Sequence, residues 1–305
     1  MESNFDSEIY AGIVTYNPDL QRLTENLDAV TKQVRRVVVV DNGSENIDRI
    51  RTLVEKYQNL GIISNKKNLG IAKALDQIMR VSEKHGAEWV LTLDQDSVIY
   101  DGLVDEYRKY LNIPDVGMFT CCFQDRNADG IETKKNSESI DIVEVDRCIT
   151  SGCLTNVLVW KEAGGYDEQM FIDYVDYDLC LTMRELGYHI KRINYIGLLH
   201  ELGQSEDVNI FGVNTTVWNH SSFRKYYIVR NRVYYIIKHW DYIDKKREII
   251  SLIRFPIKTL IFEKNKLEKL KSMIHGFLDA QKLCGKLKYK KGSVYYGTDN
   301  STERS

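Results

Sequence analysis

The apolar positions of the first 120 residues fall into short β-branched runs separated by stretches of helical period. "IYAGIVTYN" (9–17) predicts a strand ending at Asn17-Pro18, and Leu20, Leu23, Leu27 and Val30 then recur at helical spacing. "VRRVVVVDNGS" predicts a strand buried on both faces and stopped by Asp41-Asn42-Gly43-Ser44. A helix is expected over "NIDRIRTLVEKYQN", a short strand over "LGIISN", a helix over "GIAKALDQIMRVSEKHG" and a strand over "EWVLTLDQDS". This β-α-β-α-β-α-β order predicts a parallel sheet with right-handed crossovers. Such sheets bind ligands at the carboxyl ends of their strands. Thr15-Tyr16-Asn17, Asp41-Asn42, Asn65 to Asn68 and Asp94-Gln95-Asp96 all fall there, so four polar clusters are expected to meet in one crevice.

From about residue 117 the pattern changes. "VGMFTCCFQ" and "SIDIVEVDRCITSGCLTNVLVW" read as strands with short connections. "KEAGGYDEQMFIDYVDYDLCLTMRELGY" turns helical, with Val175, Leu179, Met183 and Leu186 on one face. "HIKRINYIGLLH" predicts a strand ending at His200, and from about 218 to 290 the chain reads as helical, aromatic and basic. No internal repeat or low-complexity tract interrupts it.

Charge sharpens the division. Residues 221–305 carry 20 Lys and Arg against 8 Asp and Glu, whereas the whole 305-residue chain has a net charge of −2. A basic tail on an acidic body suits an anionic surface or ligand, and equally a set of solvated helix faces. No apolar run approaches a membrane span, and the polar start "MESNFDSEIY" predicts no signal peptide. The six cysteines include no CxxC pair, so reduced thiols in a cytoplasmic protein are expected.

Asp94 and Asp96 share one face of a strand end, and two hard oxygen ligands suit Mg²⁺ or Mn²⁺ carrying substrate phosphates. The alternatives are a solvated turn, or the nucleophile of an Asp-dependent phosphatase, whose motif belongs on an opening strand rather than a fourth one. Asp173, Asp176 and Asp178 stand at a helix start, either complementing its dipole or supplying a general base. His200 is either structural or the third member of a metal triad with the two aspartates.

Together "GIVTYNP", "VVVVDNGS", "NKKNLGIAKALD", "LTLDQDS", "TSGCLTN", "GGYDEQMFIDYVDYDLCLTMRELGY", "LLHELG" and "YYIVRNRVYY" carry a resemblance over about residues 8 to 290. The chain resembles the rhamnosyltransferase branch of glycosyltransferase family 2, inverting enzymes of the GT-A fold. The resemblance implies an α/β, Rossmann-like, mostly parallel central sheet flanked by helices, with a C-terminal helical extension. It implies a catalytic domain over 1–217, comprising a nucleotide-sugar half (1–120) and an acceptor half (121–217). A basic aromatic extension over 218–292 and a disordered tail over 293–305 would follow.

By the same resemblance, Thr15, Tyr16, Asn17 and Asp41 form the base and ribose pocket, with Asp41 accepting a pyrimidine N3–H. Asn68 and Gly70 bring backbone close to the ligand, Lys73 sees the phosphates, and Asp94 and Gln95 adjoin the nucleotide. Asp96, Asp94 and His200 hold Mg²⁺ or Mn²⁺. Gly152, Gly165, Asp173 and Arg184 belong to the sugar and acceptor site, and Asp176 is the base, with Asp178 the second candidate because Val175 stands where the family commonly has an acid. The implied donor is dTDP-L-rhamnose, with a UDP-sugar as the alternative. The implied acceptor is a lipid-linked glycan at an anionic membrane surface. A homodimer through the C-terminal helices is also open. Nucleic acid is not expected, since no recognition motif accompanies the basic tail. A catalytically silent, glycan-binding protein of the same fold remains the non-enzymatic alternative.

Overall fold

A computed structural model describes residues 8–126, 141–201, 206–210, 213–290 and 293–295. The chain forms two compact units: Met1–Phe171 with Val175–Gly203, and Ile172–Tyr174 with Gln204–Ser305. Three residues ahead of a helix of the first unit group with the second.

The first unit alternates as expected through β1 (Ile9–Thr15), α1 (Leu20–Val30), β2 (Arg36–Asp41), α2 (Ile47–Val54), β3 (Leu60–Ser64), α3 (Ile71–Lys84) and β4 (Trp89–Asp94). It continues with β5 (Val98–Ile99), α4 (Leu103–Arg108), β6 (Val116–Asp125), β7 (Ile142–Glu144), β8 (Cys153–Asn156), α5 (Val157–Glu162), α6 (Val175–Glu185) and β9 (His189–His200). One sheet runs β3-β2-β1-β4-β8-β6-β9-β5, with β7 also paired to β9. The β3-β2-β1-β4 half is parallel, whereas β8 pairs antiparallel to both β4 and β6.

β1 is buried along its whole length, which explains its unbroken apolar run. Leu23, Leu27 and Val30 of α1 and Ile50, Leu53 and Val54 of α2 pack into the same core. α3 lies so close to β1 that a Cβ on Gly12 would stand 2.1 Å from the Ile78 side chain. Chain order leaves β1 between β2 and β4, the place where an open sheet reverses direction and its strand ends part.

Two elements differ from the sequence pattern. "VLVW", expected as strand, is the helix α5, because Asn156 accepts hydrogen bonds from the amides of Leu158 (3.0 Å) and Val159 (3.1 Å) and so caps a helix at the strand's end. The expected long helix from residue 161 breaks at Gly164 and Gly165, both at positive φ, and resumes only at Val175.

The second unit holds the hairpin β10 (Glu206–Ile210) and β11 (Val213–Val217), then α7 (Ser222–Lys238), α8 (Lys245–Phe262) and α9 (Lys266–Cys284). A second hairpin, β12 (Lys288–Lys290) with β13 (Ser293–Tyr295), follows where helix was expected to 292 and disorder beyond. Residues 296–305 of that expected tail lie outside the described residues.

Candidate functional site

The parallel register brings the polar strand ends level. Thr15 of β1 stands opposite Asp41 of β2, Asp41 opposite Ser64 of β3, and Val14 opposite Asp94 of β4.

Asp41 is 1 % exposed. One oxygen accepts from Thr15 Oγ1 (3.1 Å) and Ser44 Oγ; the other accepts from the amides of Gly43 (3.1 Å) and Ser44 (3.0 Å). A carboxylate so filled braces the loop after β2 from beneath. Any base that reaches it meets a carboxylate already holding four donors. Tyr16 is exposed, and its amide donates to Gln95 Oε1 at 2.8 Å, joining the ends of β1 and β4. Asn17, at φ +47°, donates its amide to Ser44 Oγ and accepts from the Glu45 amide (2.7 and 2.8 Å).

Asn42 belongs to one of the four polar clusters expected at the strand ends, though the sequence assigns it no individual role. Its buried amide donates to Asn68 Oδ1 (3.0 Å) and the Gly70 carbonyl (3.1 Å) and accepts from the Leu69 amide (3.0 Å), pinning loop 65–70 to β2. Gly70 is required by the protein's own packing. Its φ is +89°, and a Cβ there would lie 2.7 Å from the Phe171 carbonyl oxygen, while the adjacent Ile71 amide donates to that oxygen at 2.6 Å. Lys73 pairs with Glu168 at 2.5 Å.

The glycines expected at the sugar site also stand close to protein neighbours. Gly165 leaves room for Asp76, whose carboxylate would lie 2.7 Å from an added Cβ and accepts from the Tyr166 amide and Arg80 (3.1 and 2.8 Å). Burial pushes the Asp76 carboxyl above its ordinary value against the pull of those donors. Gly152 is buried, its carbonyl accepting from the Tyr107 hydroxyl and its Cα facing Leu198 and Cys121. Arg184, two turns beyond Asp176 and roughly 12 Å along the helix axis, ion-pairs with the exposed Asp146. Asp173 belongs to the second unit and forms a two-pronged pair with Arg224, at 2.9 and 3.1 Å.

Asp94 ends β4 with a half-exposed carboxylate, 4.0 Å from His200 Nδ1. A line of hydroxyls fixes the two. The Asp94 amide donates to Ser151 Oγ (3.1 Å), Ser151 Oγ donates to Ser97 Oγ (2.8 Å), and Ser97 Oγ meets His200 Nδ1 (2.8 Å). Ser97 and Ser151 were not foreseen, because serine is common in turns and only the fold brings these two together. With Nδ1 engaged, Nε2 is the nitrogen left to face a ligand. Phe123 packs edge-on against the His200 ring at 5.9 Å. Asp96 is half-buried and makes no side-chain hydrogen bond among the described residues. Arg22, ion-paired to Glu201 beside His200, feels the negative charge of Asp96 as well. Among the described residues no three His, Cys, Asp or Glu side chains already form a cage for an ion. The expected triad of Asp94, Asp96 and His200 thus comes together only in its Asp94–His200 edge.

In the first turn of α6, Asp178 is 2 % exposed, whereas Asp176 is half-buried and keeps part of its surface in solvent.

The first four strands of this open α/β sheet end in a polar constellation, at the edge where such sheets bind ligands. The family model "Glycosyl transferase family 2" matches residues 10–181, and the chain belongs to that family. A dTDP-rhamnosyl transferase, RfbF, of Shigella flexneri is 31% identical over 287 residues, covering 90% of this chain and 95% of that protein. Hyaluronan synthase of Streptococcus pyogenes is 29% identical over 119 residues, covering 35% of this chain and 27% of the synthase. Among solved structures, S. aureus TarS superposes with a TM-score of 0.60 at 16% identity, over 90% of this chain and 49% of TarS. Its 1–349 fragment in complex with UDP-GlcNAc gives 0.56 at 16% identity, over 90% and 80% of the two chains. At such identity the TarS structures speak to the fold alone.

Proposed function

We propose that the protein is an inverting, metal-dependent rhamnosyltransferase that moves L-rhamnose from dTDP-L-rhamnose to a hydroxyl of a lipid-linked surface polysaccharide. One observation carries the donor: the similarity to the Shigella dTDP-rhamnosyl transferase runs through nearly the whole of both chains.

The residues at the end of β4 fit a hard cation. Asp94 presents a half-exposed carboxylate, Asp96 has no side-chain hydrogen bond among the described residues, and His200 has Nε2 to spare. Mg²⁺ takes few protein ligands and completes its shell with phosphates and water, so a pre-built cage is not required. Asp96, Asp94 and His200 would hold Mg²⁺ or Mn²⁺, which when bound neutralises the departing diphosphate. Arg22 adds positive charge on the same side. Tyr16, Asn17 and the braced loop after β2 orient the nucleoside, holding the sugar for attack from one face. Asp176 accepts the proton of the acceptor hydroxyl as the oxygen closes on the anomeric carbon. One displacement inverts the configuration and needs no covalent sugar–enzyme intermediate.

The acceptor assignment draws support from the second unit. α8 buries only Thr259 of its 18 residues. Ile249, Ile253, Ile257 and Ile261 form an exposed row at every fourth position, and Lys246, Arg254 and Lys258 run along the adjacent row. An apolar stripe bordered by cations suits the surface of an anionic bilayer. No described helix is long and apolar enough to cross one. Co-sedimentation with phosphatidylglycerol vesicles is expected and should be lost in Ile253→Glu/Ile257→Glu; equal pelleting of that variant would remove the membrane assignment.

The central test is thermal stabilisation by dTDP, UDP and GDP, each with and without Mn²⁺. A ligand at a hundredfold excess over its Kd stabilises by about 2.7 kcal/mol. Stabilisation by dTDP that requires Mn²⁺ and disappears in Asp96→Ala is expected. A larger response to UDP would keep the chemistry and replace the donor, and no response to any nucleotide would sink the proposal.

A further inference from the structure

α7 and α9 lie in the same unit and enclose a cleft of about 440 Å³, within the usual size range of ligand clefts. The two helices come close at Gly276 of α9, where a Cβ would run into the Tyr226 carbonyl oxygen of α7. Two walls of different chemistry line the cleft. α7 supplies the rings of Phe223, Tyr226 and Tyr227, whereas α9 supplies the polar groups of Ser272, His275, Asp279 and Lys282.

The rings interlock into a fixed platform. Phe223 meets Tyr227 with centroids 4.9 Å apart at 62°, Tyr226 meets Tyr227 at the same distance and 89°, and Arg230 lies 4.6 Å over the Tyr227 ring. Tyr226 is tied to the opposite helix, its hydroxyl donating to Asp279 Oδ2 at 2.9 Å. Phe223 stays 57% exposed, a large ring left to water beside hydrogen-bonding groups. The fixed charges of the cleft cancel, because Lys282 Nζ donates to Asp279 Oδ1 at 2.8 Å. Among the described residues that line it, Leu278 is the one aliphatic side chain.

These features select the occupant. A phosphate would find a single lysine, already paired with a carboxylate. An acyl chain would cover hydroxyls, an imidazole and an ion pair with hydrocarbon, and each polar group that loses water without gaining a partner costs free energy. A pyranose offers both surfaces that the walls call for. Its C–H groups lie on the electron-rich face of an aromatic ring, and its hydroxyls donate and accept around the edge. We propose that the α7–α9 cleft is a saccharide-binding subsite that holds the acceptor glycan, with Phe223 as the stacking ring and Ser272, His275 and Asp279 as hydrogen-bond partners. The acceptor role rests on the transferase reading of this chain, whereas saccharide binding does not. A platform whose rings already interlock loses little freedom when a sugar settles on it, which favours binding.

Saturation-transfer NMR on the full chain, without nucleotide or metal, reads the binding of oligosaccharides of L-rhamnose, D-glucose and N-acetyl-D-glucosamine. At least one of them is expected to take up saturation from the wild type. Phe223→Ala, at an exposed position that tolerates change, should weaken that binding by about 3- to 10-fold, the loss of one ring contact. Ser272→Trp should abolish it by filling the cleft, and Phe223→Ala carries the test alone if Ser272→Trp does not fold. No transfer to any of the saccharides, or transfer to Phe223→Ala equal to that of the wild type, would overturn the subsite. Displacement of the sugar by inorganic phosphate or by a short fatty acid would also overturn it and hand the cleft to that chemistry. The response of the wild type to dTDP and Mn²⁺ keeps the two readings apart. Saccharide binding without that response would leave the subsite standing and remove the transferase, and the converse would leave a transferase without this subsite.

Discussion

Asp176→Asn is expected to slow sugar transfer by about 10²–10⁴-fold, the usual contribution of a general base, while leaving folding and nucleotide binding as they were. The substitution keeps shape and removes the negative charge, and with it the ability to take a proton. Asp176 is half-buried in the first turn of α6, and its Oδ1 accepts from the Tyr177 amide at 2.9 Å. An asparagine oxygen accepts that bond equally well, so the turn survives. Asp178, two residues on, is 2 % exposed. Asp178→Asn should therefore act through stability, costing on the order of 1–3 kcal/mol for a buried polar group with disturbed partners. Initial rates at saturating donor, with melting temperatures for both variants, separate the two. A rate lost in Asp178→Asn but kept in Asp176→Asn would move the base by two residues and with it the face from which the acceptor arrives.

The contrast between these aspartates shows where sequence reasoning stops. Asp176 and Asp178 are equivalent in the string "DYDLC", and their burial separates them only once α6 is docked. The elements that were legible are those with a periodic physical cause. β1, β2 and β4 read as continuous apolar runs because both faces of a parallel sheet are covered, and their polar ends mark the crevice edge. What was not legible is partnership. Gly70, Gly152 and Gly165 stand in motifs that suggested contact with ligand, yet their missing side chains make room for Phe171, Leu198 and Asp76. A glycine in a sequence reports that something comes close, not what. Ser97 and Ser151 carried no signal because their residue type is ordinary in turns, and their roles arise from loops far apart in the chain. "VLVW" was misjudged because a four-residue apolar run suits a strand or a buried helix, and the Asn156 cap decided it.

Glu263→Gln should be the most destabilising single change in the second unit, by about 3–5 kcal/mol, the cost of breaking a buried ion pair from one side. Glu263 joins α7 to α9 at the end of α8. One oxygen pairs with Lys225 and the other with Lys269 at 2.9 Å, and all three side chains are at most 5% exposed. Thr259 Oγ1 and Asn219 Oδ1 each take a further lysine hydrogen, at 2.9 and 2.6 Å, and the Phe255 ring lies under Lys225 at 4.2 Å. Two ammonium groups against one carboxylate leave no spare negative charge, so glutamine strands both cations away from water. Burial works against the Glu263 carboxylate, but hydrogen bonds from the two lysines outweigh it and hold its pKa below the ordinary value of about 4.5. For a carboxyl lowered on folding, the stabilisation is complete above the unfolded value and is lost as pH falls through the folded one. The melting temperature of Glu263→Gln should therefore trail the wild type by on the order of 10 °C at pH 7, and the gap should close as pH falls below the ordinary carboxyl value and through the lower folded one, where the wild-type carboxyl takes up its proton. A gap that stays constant from pH 7 to pH 3 would locate the loss in packing rather than charge. Replacing all three residues by apolar ones of similar volume should recover most of the stability, since it removes the stranded cations together with the pair. Such a variant would keep the row of isoleucines on α8 intact, and vesicle binding measured on it would report on that surface apart from the ionic core beneath.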